Sequence, residues 1–263
     1  MREALRISAN RATVELGTRV GYATVIGAAR ALGIGSGIRA FPSTFLGAAE
    51  VSPLELTAAY APFANGGAHV RPRLIARVEA PDGHVLWQAP IDRSPALDPG
   101  VAFVMASLLR TAVDGGTGRG ARVQGLPAEL PFLGKTGTTN DAQDVWFVGA
   151  TPDLVATAWL GFDRPRPIAR KAAGGRLAAP IVGRVLRDHY RRHPLPAPWA
   201  PPATVLLRDV DTTTGKLATG DCPRHHVVRD FVLASSAPGE ECPAHRSALS
   251  RFFHNFFGAV FGR

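Results

Sequence analysis

The stretch "LGKTGTTNDAQDVWFVGATP" covers residues 133–152, where a glycine-rich segment around Lys135 leads into an apolar run typical of a β-strand. Lysine is rare in this chain, because Lys135, Lys171 and Lys216 are its only lysines among 30 basic residues. Arginine keeps its proton in proteins, whereas the pKa of a crowded or desolvated lysine falls readily. Lys135 is therefore a candidate for proton transfer or anion binding, with chance placement in an arginine-rich chain as the simpler alternative.

Glycines around a lysine also suggest a phosphate-binding loop, but the spacing in this sequence excludes one. That loop requires a glycine five positions before the Gly-Lys-Thr triplet, and Glu129 occupies the position. The loop also leads into a helix, whereas strand-like sequence follows Lys135. The lysine motif is thus predicted to lie on a strand.

Helix signals are spread along the first three quarters of the chain. Residues 2–33 have a helical pattern that ends at the glycines of "LGIGSG". Ser52 and Glu55 form a capping-box pattern at the start of another helix in "SPLELTAAYAPFANGG". Two more helices are predicted at residues 98–113 and 179–192.

Strand signals lie between these helices. Asp82-Gly83 separates two short alternating runs, as in a hairpin. The runs "DVWFVGA" and "LVATAWLGF" are joined by a turn at Pro152-Asp153 and are predicted to pair as antiparallel strands. Helices on either side of such a strand cluster indicate an α+β domain.

The Lys-Thr-Gly triplet is also the strand motif of serine enzymes that act on D-alanyl peptides or β-lactams. Here it extends to "KTGTTND" and then "DVWFVG", and two upstream segments, "FPSTFLGAAEVSPLELTAAYAPFANGGAHVRPRLI" and "LLRTAVDGGTGRGAR", agree in order. Together they resemble the class A penicillin-binding proteins, bifunctional enzymes that build peptidoglycan, from the first residues to about residue 245. The resemblance implies an α+β penicillin-binding/transpeptidase-like fold, with an antiparallel sheet flanked by helices, as in serine β-lactamases, and truncated at its N-terminus.

Site residues follow from the resemblance. Ser8-Ala9-Asn10 occupies the family's Ser-x-Asn position, although a serine and an asparagine near a helix start are more often a cap. The resemblance implies catalytic roles for Ser8 and Lys135. It implies substrate binding by five residues: Asn10, Thr136, Gly137, Thr138 and Thr139.

The family's Ser-x-x-Lys motif is missing from this chain, since no serine is followed three residues later by lysine. The nucleophile is therefore expected to lie elsewhere, and the chain is expected to be inactive alone. The family's glycosyltransferase domain and membrane helix are also missing, so a truncated gene, a late start or an incomplete assembly is expected.

The implied function is that of a peptidoglycan D,D-transpeptidase fragment, which in the full-length protein cross-links stem peptides through a serine acyl-enzyme. The implied partners are peptidoglycan stem peptides and β-lactams, with no cofactor, at the extracytoplasmic (periplasmic) face of the bacterial inner membrane. The alternatives are a non-catalytic peptidoglycan-binding or scaffold module and, more remotely, a D-alanyl carboxypeptidase or β-lactamase relative.

The chain is strongly basic, with a formal charge of +9 and a sequence pI near 10.6. The arginines are scattered, few aromatics lie among them, and no nucleic-acid-binding motif is present. These features favour a solvated basic surface over a nucleic-acid site. The sequence also contains no apolar run long enough to span a bilayer and no targeting signal.

The predicted domain organisation is a partial transpeptidase domain at 1–193, a proline-rich linker at 194–202 and a small tail at 203–263. Cys222 and Cys242 are the only cysteines, and the implied compartment favours a disulfide between them. The alternative is zinc binding by two Cys-x-x-His pairs, Cys222 with His225 and Cys242 with His245. Residues 248–263 form an amphipathic pattern that is predicted to dock on the domain or, alternatively, on a membrane surface or partner.

Overall fold

The computed structural model describes residues 1–245 of the 263-residue chain. The chain divides into two compact units, Met1–Ala200 and Pro201–Arg263, and each is described separately below. None of the helices in the described part of the chain combines the length and the apolar character that crossing a bilayer requires.

The first unit contains seven α-helices and seven strands. The helices are α1 Arg2–Arg6, α2 Asn10–Val20, α3 Tyr22–Ala31, α4 Pro53–Ala64, α5 Pro99–Asp114, α6 Arg119–Arg122 and α7 Gly174–Tyr190. The strands are β1 Ala68–Val70, β2 Arg77–Glu79, β3 Val85–Gln88, β4 Arg93–Pro95, β5 Leu133–Thr138, β6 Val145–Ala150 and β7 Val155–Leu160. Two short antiparallel pairs, β1 with β4 and β2 with β3, lie outside the main sheet, and the second pair is the predicted hairpin around Asp82-Gly83.

The main sheet is antiparallel, with strand order β5-β6-β7. Lys135 pairs with Val148, and Gly137 pairs with Trp146. Within the described residues β5 has a neighbour on one side only, so its other edge carries the unpaired backbone groups of the Lys-Thr-Gly motif.

Helices cover both faces of this sheet because side chains alternate along each strand. On one face, Phe132 and Phe147 pack with Val182 and Leu186 of α7. On the other face, Leu133 of β5 packs with buried side chains of α4, α5 and β6, and with Leu5 of α1. The core thus fixes β5 between α7 on one side and α1 and α5 on the other.

Two helix predictions are wrong in their bounds, and backbone geometry explains the first. The continuous pattern at 2–33 is divided into α1, α2 and α3, because Ser8 (φ 59°) and Gly21 (φ 88°) leave the helical region. The helix predicted at 179–192 begins earlier, at Gly174, and ends at Tyr190, with Pro180 inside it.

The second unit contains an antiparallel pair, β8 Val205–Asp211 and β9 Val227–Leu233, with Val205 opposite Leu233 and Asp211 opposite Val227. Its buried apolar side chains are few: in the described residues from 201 onward they are Val205, Cys222 and Cys242. The amphipathic segment predicted at 248–263 lies outside the described residues.

Gly174, at the start of α7, packs against the main sheet. A Cβ there would lie 2.2 Å from the carbonyl oxygen of Trp146 and 2.7 Å from that of Gly137. We expect Gly174→Ala to destabilise the first unit by about 1–3 kcal/mol through overpacking. The measurement is urea denaturation followed by tryptophan fluorescence, since all four tryptophans (Trp87, Trp146, Trp159 and Trp199) belong to this unit.

The matched control for this prediction is Gly27→Ala. Gly27 lies inside α3, and a Cβ there would meet nothing within 4 Å. The same chemical change should therefore stabilise the unit, by up to about 1 kcal/mol, through better helix propensity. Equal effects of the two substitutions would contradict the close packing at Gly174.

Candidate active site

Lys135 and Ser8 meet at the open edge of β5. The Lys135 ammonium donates a hydrogen bond of 2.8 Å to the Ser8 hydroxyl, across 127 positions of sequence, and a second bond of 3.0 Å to the carbonyl oxygen of Thr136. The two residues to which the sequence assigned catalytic roles are therefore in direct contact. A hydroxyl that accepts a bond from an ammonium still has its own proton to donate.

The position of Ser8 is set by contacts of α1 with α5. The Arg2 guanidinium donates to the backbone carbonyl of Ser107 at 2.8 Å and to its hydroxyl at 3.0 Å. The Arg6 guanidinium donates to the carbonyl of Gly115 at 2.6 Å, and the Thr117 N–H donates to the carbonyl of Arg6 at 3.2 Å. Both ends of α1 are thus attached to α5 and to the turn that follows it, immediately before Ser8.

The Lys135 side chain is partly buried, and this burial lowers its pKa from an ordinary value of 10.5 to about 8. Desolvation disfavours the charged form of an amine. A lysine with a pKa near neutral pH exchanges its proton more readily than an ordinary lysine, which suits it to proton transfer or to tuning a neighbouring hydroxyl.

Thr136 and Thr138 lie on the opposite face of β5 from Lys135, as the two-residue period of a strand requires. The hydroxyl of Thr136 lies 2.7 Å from the hydroxyl of Thr117, and the hydroxyl of Thr138 accepts a hydrogen bond of 3.0 Å from the Gly174 N–H. Substrate binding by both threonines stays a prediction, and these contacts place their hydroxyls toward the turn after α5 and the start of α7.

Thr117 and Gly174 are polar contacts of the motif that the sequence reasoning did not single out. Thr117 lies in "LLRTAVDGGTGRGAR", a segment that contributed to the family resemblance without a role for this threonine. Gly174 lies in a Gly-Gly pair that sequence rules treat as a break. No local signal could have identified either contact, because both depend on packing between distant segments.

Thr139 and Asn10 have different surroundings. The Thr139 hydroxyl accepts a bond of 2.8 Å from the Asp144 N–H and closes the connection between β5 and β6. This contact fixes Thr139 at the end of the strand edge, and its predicted role in substrate binding stays a prediction. Asn10 is the first residue of α2 and is exposed to solvent. Within the described residues no hydrogen bond joins it to Lys135.

Backbone strain is concentrated around the motif. The four non-glycine residues with positive φ in the described chain are Ser8, Asp141, Ala142 and Lys171. The last three line a surface depression together with Thr138. Such conformations cost energy and persist where surrounding packing enforces them, frequently at functional sites.

A family model described as "Penicillin binding protein transpeptidase domain" matches residues 1–187. Among curated relatives, penicillin-binding protein 1A of Pseudomonas aeruginosa is 32% identical over an alignment covering 69% of this chain and 28% of that protein. Penicillin-binding protein 1A of Rickettsia prowazekii is 30% identical, covering 82% of this chain and 30% of that protein. The chain thus spans less than a third of the length of either relative.

Solved structures agree with the fold. Penicillin-binding protein 1A from Haemophilus influenzae superposes with a TM-score of 0.81 over 92% of this chain and 41% of that one, at 24% identity. An imipenem acyl-enzyme complex of penicillin-binding protein A from M. tuberculosis gives a TM-score of 0.59 at 28% identity, over 71% of this chain and 47% of that one. The predicted fold class is confirmed.

The pKa of Lys135 is directly measurable. We expect its ammonium to titrate with a midpoint of about 8 when followed by NMR. The Lys135 signal is assigned by its absence from the spectrum of a Lys135→Arg variant. Because the folded-state pKa lies below that of the unfolded chain, protonation opposes folding. The free energy of unfolding, relative to a Lys135→Met variant, should therefore rise with pH between about 8 and 10.5. A midpoint near 10.5 would contradict the burial of this amine.

Proposed function

Because this chain belongs to the penicillin-binding protein transpeptidase family, we propose that it supplies the Ser-x-Asn and Lys-Thr-Gly side of a peptidoglycan D,D-transpeptidase site. The observation that carries the proposal is the hydrogen bond of 2.8 Å between Lys135 and Ser8. It joins the two motifs at a strand edge on which an extended peptide could pair.

In the proposed reaction a serine oxygen attacks the carbonyl of the penultimate D-alanine of a stem peptide. The peptide bond to the terminal D-alanine breaks, and this residue leaves with a proton that is relayed through Ser8. An amine of a neighbouring stem peptide then attacks the acyl-enzyme ester, which forms the cross-link and frees the serine. Lys135, with its lowered pKa, tunes the Ser8 hydroxyl for this relay.

The terminal carboxylate of the substrate is proposed to bind on the α7 side of β5. The Thr138 hydroxyl already accepts the Gly174 N–H, so its own proton is free to donate to an anion. Gly174 is the first residue of a 17-residue helix, whose N-terminus favours negative charge. Arg170 and Lys171 line the depression beside Thr138, and both would attract a carboxylate.

The backbone of β5 is proposed to hold the scissile amide. The Thr136 carbonyl accepts from Lys135, which indicates that it faces away from β6, toward the open edge. By the two-residue period the Thr138 N–H faces the same way and is available as one donor of an oxyanion hole. Gly137 leaves the edge without a side chain at this point, and Asn10 is the proposed partner of the substrate amide.

β-Lactams are proposed to bind at the same place, because their carboxylate and amide imitate the stem-peptide terminus. The serine of the family's Ser-x-x-Lys motif is the proposed nucleophile, and it is not on this chain. The proposed location of the full-length protein is the extracytoplasmic face of the bacterial inner membrane, where its substrate is assembled.

The test uses a fluorescent penicillin and a denaturing gel. The 263-residue chain alone should give no covalent band, since it lacks the nucleophile. The second protein is a chimera, in which the Ser-x-x-Lys segment of a class A relative is fused directly before Met1. This chimera should be labelled. In that chimera, Ser8→Ala or Lys135→Ala should lower the labelling rate by about 100-fold or more.

The matched control is Lys216→Ala, which removes an exposed lysine of the second unit that pairs with Glu240. It should leave labelling unchanged, and circular dichroism should show all variants folded. Labelling of the chain alone would refute the missing nucleophile. A folded chimera that is never labelled would instead favour a non-catalytic peptidoglycan-binding module.

A further inference from the structure

Four side chains with metal-binding chemistry converge in the second unit. They are Asp211 at the end of β8, Cys222, Cys242 and His245, and their ligand atoms all lie within 4.8 Å of one another. The carboxylate and both cysteines are buried. The structure does not contain the predicted disulfide, because both thiols are free.

The Asp211 carboxylate has one satisfied oxygen and one unsatisfied oxygen. Its Oδ1 accepts four hydrogen bonds from the N–H and hydroxyl groups of Thr213 and Thr214, at 2.5 to 3.0 Å. Its Oδ2 has no hydrogen-bond partner and no solvent contact. It lies 3.1 Å from Nδ1 of His245. A buried carboxylate oxygen without a hydrogen-bond donor is stabilised by a nearby positive charge, which a metal ion or a protonated His245 would supply.

His245 has the orientation of a metal ligand. Its Nε2 lies 3.3 Å from Nδ1 of His226, so Nε2–H can donate to His226 and leave the lone pair of Nδ1 facing the cluster. Metal-bound histidines are usually oriented by such a hydrogen bond from the other ring nitrogen. The same Nδ1 lies 3.5 Å from the sulfur of Cys242.

Two of the six ligand–ligand separations are known, and both are close to the edges of a tetrahedral zinc site. With Zn–S near 2.3 Å and Zn–N and Zn–O near 2.1 Å, an ideal tetrahedron places sulfur and nitrogen about 3.6 Å apart, and nitrogen and oxygen about 3.4 Å apart. The corresponding distances are 3.5 Å between Cys242 and His245 and 3.1 Å between His245 and Asp211.

We propose that Asp211, Cys222, Cys242 and His245 form a structural zinc site. Thiolate and imidazole ligands suit zinc, and four protein ligands leave no open position for substrate, as in structural rather than catalytic sites. This site differs from the zinc alternative considered from the sequence, because Asp211 takes the place of His225, which is not a member of the group.

A metal would supply what the small core of this unit lacks. The described part of the unit buries few apolar side chains, and natural small domains with a limited core often add disulfides, metals or association. The four ligands come from three segments of chain: the end of β8, the turn at Cys222 and the stretch from Cys242 to His245. Zinc would cross-link all three. The site is independent of the transpeptidase proposal, whose failure would leave it unaffected.

The test uses the full chain, purified under reducing conditions with zinc and measured by elemental analysis. We expect one zinc ion per chain, and replacement by cobalt(II) should give the intense visible absorption of a tetrahedral thiolate site. Asp211→Asn, Cys242→Ser and His245→Gln should each lose stoichiometric metal. His225→Gln is the matched control, because it removes a neighbouring histidine of the same tail and should keep the metal.

Intact mass with and without reductant completes the test. A wild-type chain that carries a Cys222–Cys242 disulfide and no zinc even after reduction would overturn the proposal, whatever the folding of the variants. Zinc that survives in both Asp211→Asn and His245→Gln would also overturn this ligand set. Loss of zinc in His225→Gln would return the assignment to the two Cys-x-x-His pairs.

Discussion

The contact between Lys135 and Ser8 depends on the attachment of α1, a helix of only five residues, to the rest of the fold. A helix of that length is not stable alone. Its two arginines bind carbonyl groups in and after α5, and Leu5 packs on the core that holds β5. The same packing that fixes Ser8 also desolvates Lys135, so one arrangement determines both the distance between the two groups and the lowered pKa of the amine.

Strand alternation divides the site into two parts. Lys135 and Ser8 lie on the side of α1 and α5, where the proton chemistry is proposed. Thr138 lies on the side of α7, where the helix N-terminus favours an anion. Only Thr136 and Gly137 lie between Lys135 and Thr138 on the strand, so a peptide lying along the edge of β5 would contact both parts. A single edge strand can therefore position acid–base and anion-binding groups without placing their charges next to each other.

The sequence predicted the elements better than their contacts. The family that was predicted from "KTGTTND" and the surrounding segments is confirmed. The predicted capping box of Ser52 and Glu55 is also present, with hydrogen bonds of 3.0 and 3.2 Å. Glu55 also accepts from Gly35 and Ser36, and these bonds help to lower its pKa to about 2. No local pattern contains those partners. The early start of α7 has a similar cause. The glycine at position 174 is required by the sheet carbonyls against which it packs, and its neighbours in sequence do not indicate this contact.

The cysteine tail shows the same limit in a different chemistry. The two Cys-x-x-His pairs are equivalent in sequence, but only His245 of the two histidines lies in the proposed zinc site. The other position is taken by Asp211, which ends a strand and has no motif around it. A local repeat indicates which residue types can bind a metal, whereas the fold decides which of them meet. The buried Asp211 oxygen without a hydrogen-bond partner supports the zinc proposal, because such an oxygen is stabilised by a nearby positive charge. Sequence spacing alone does not reveal an oxygen of this kind.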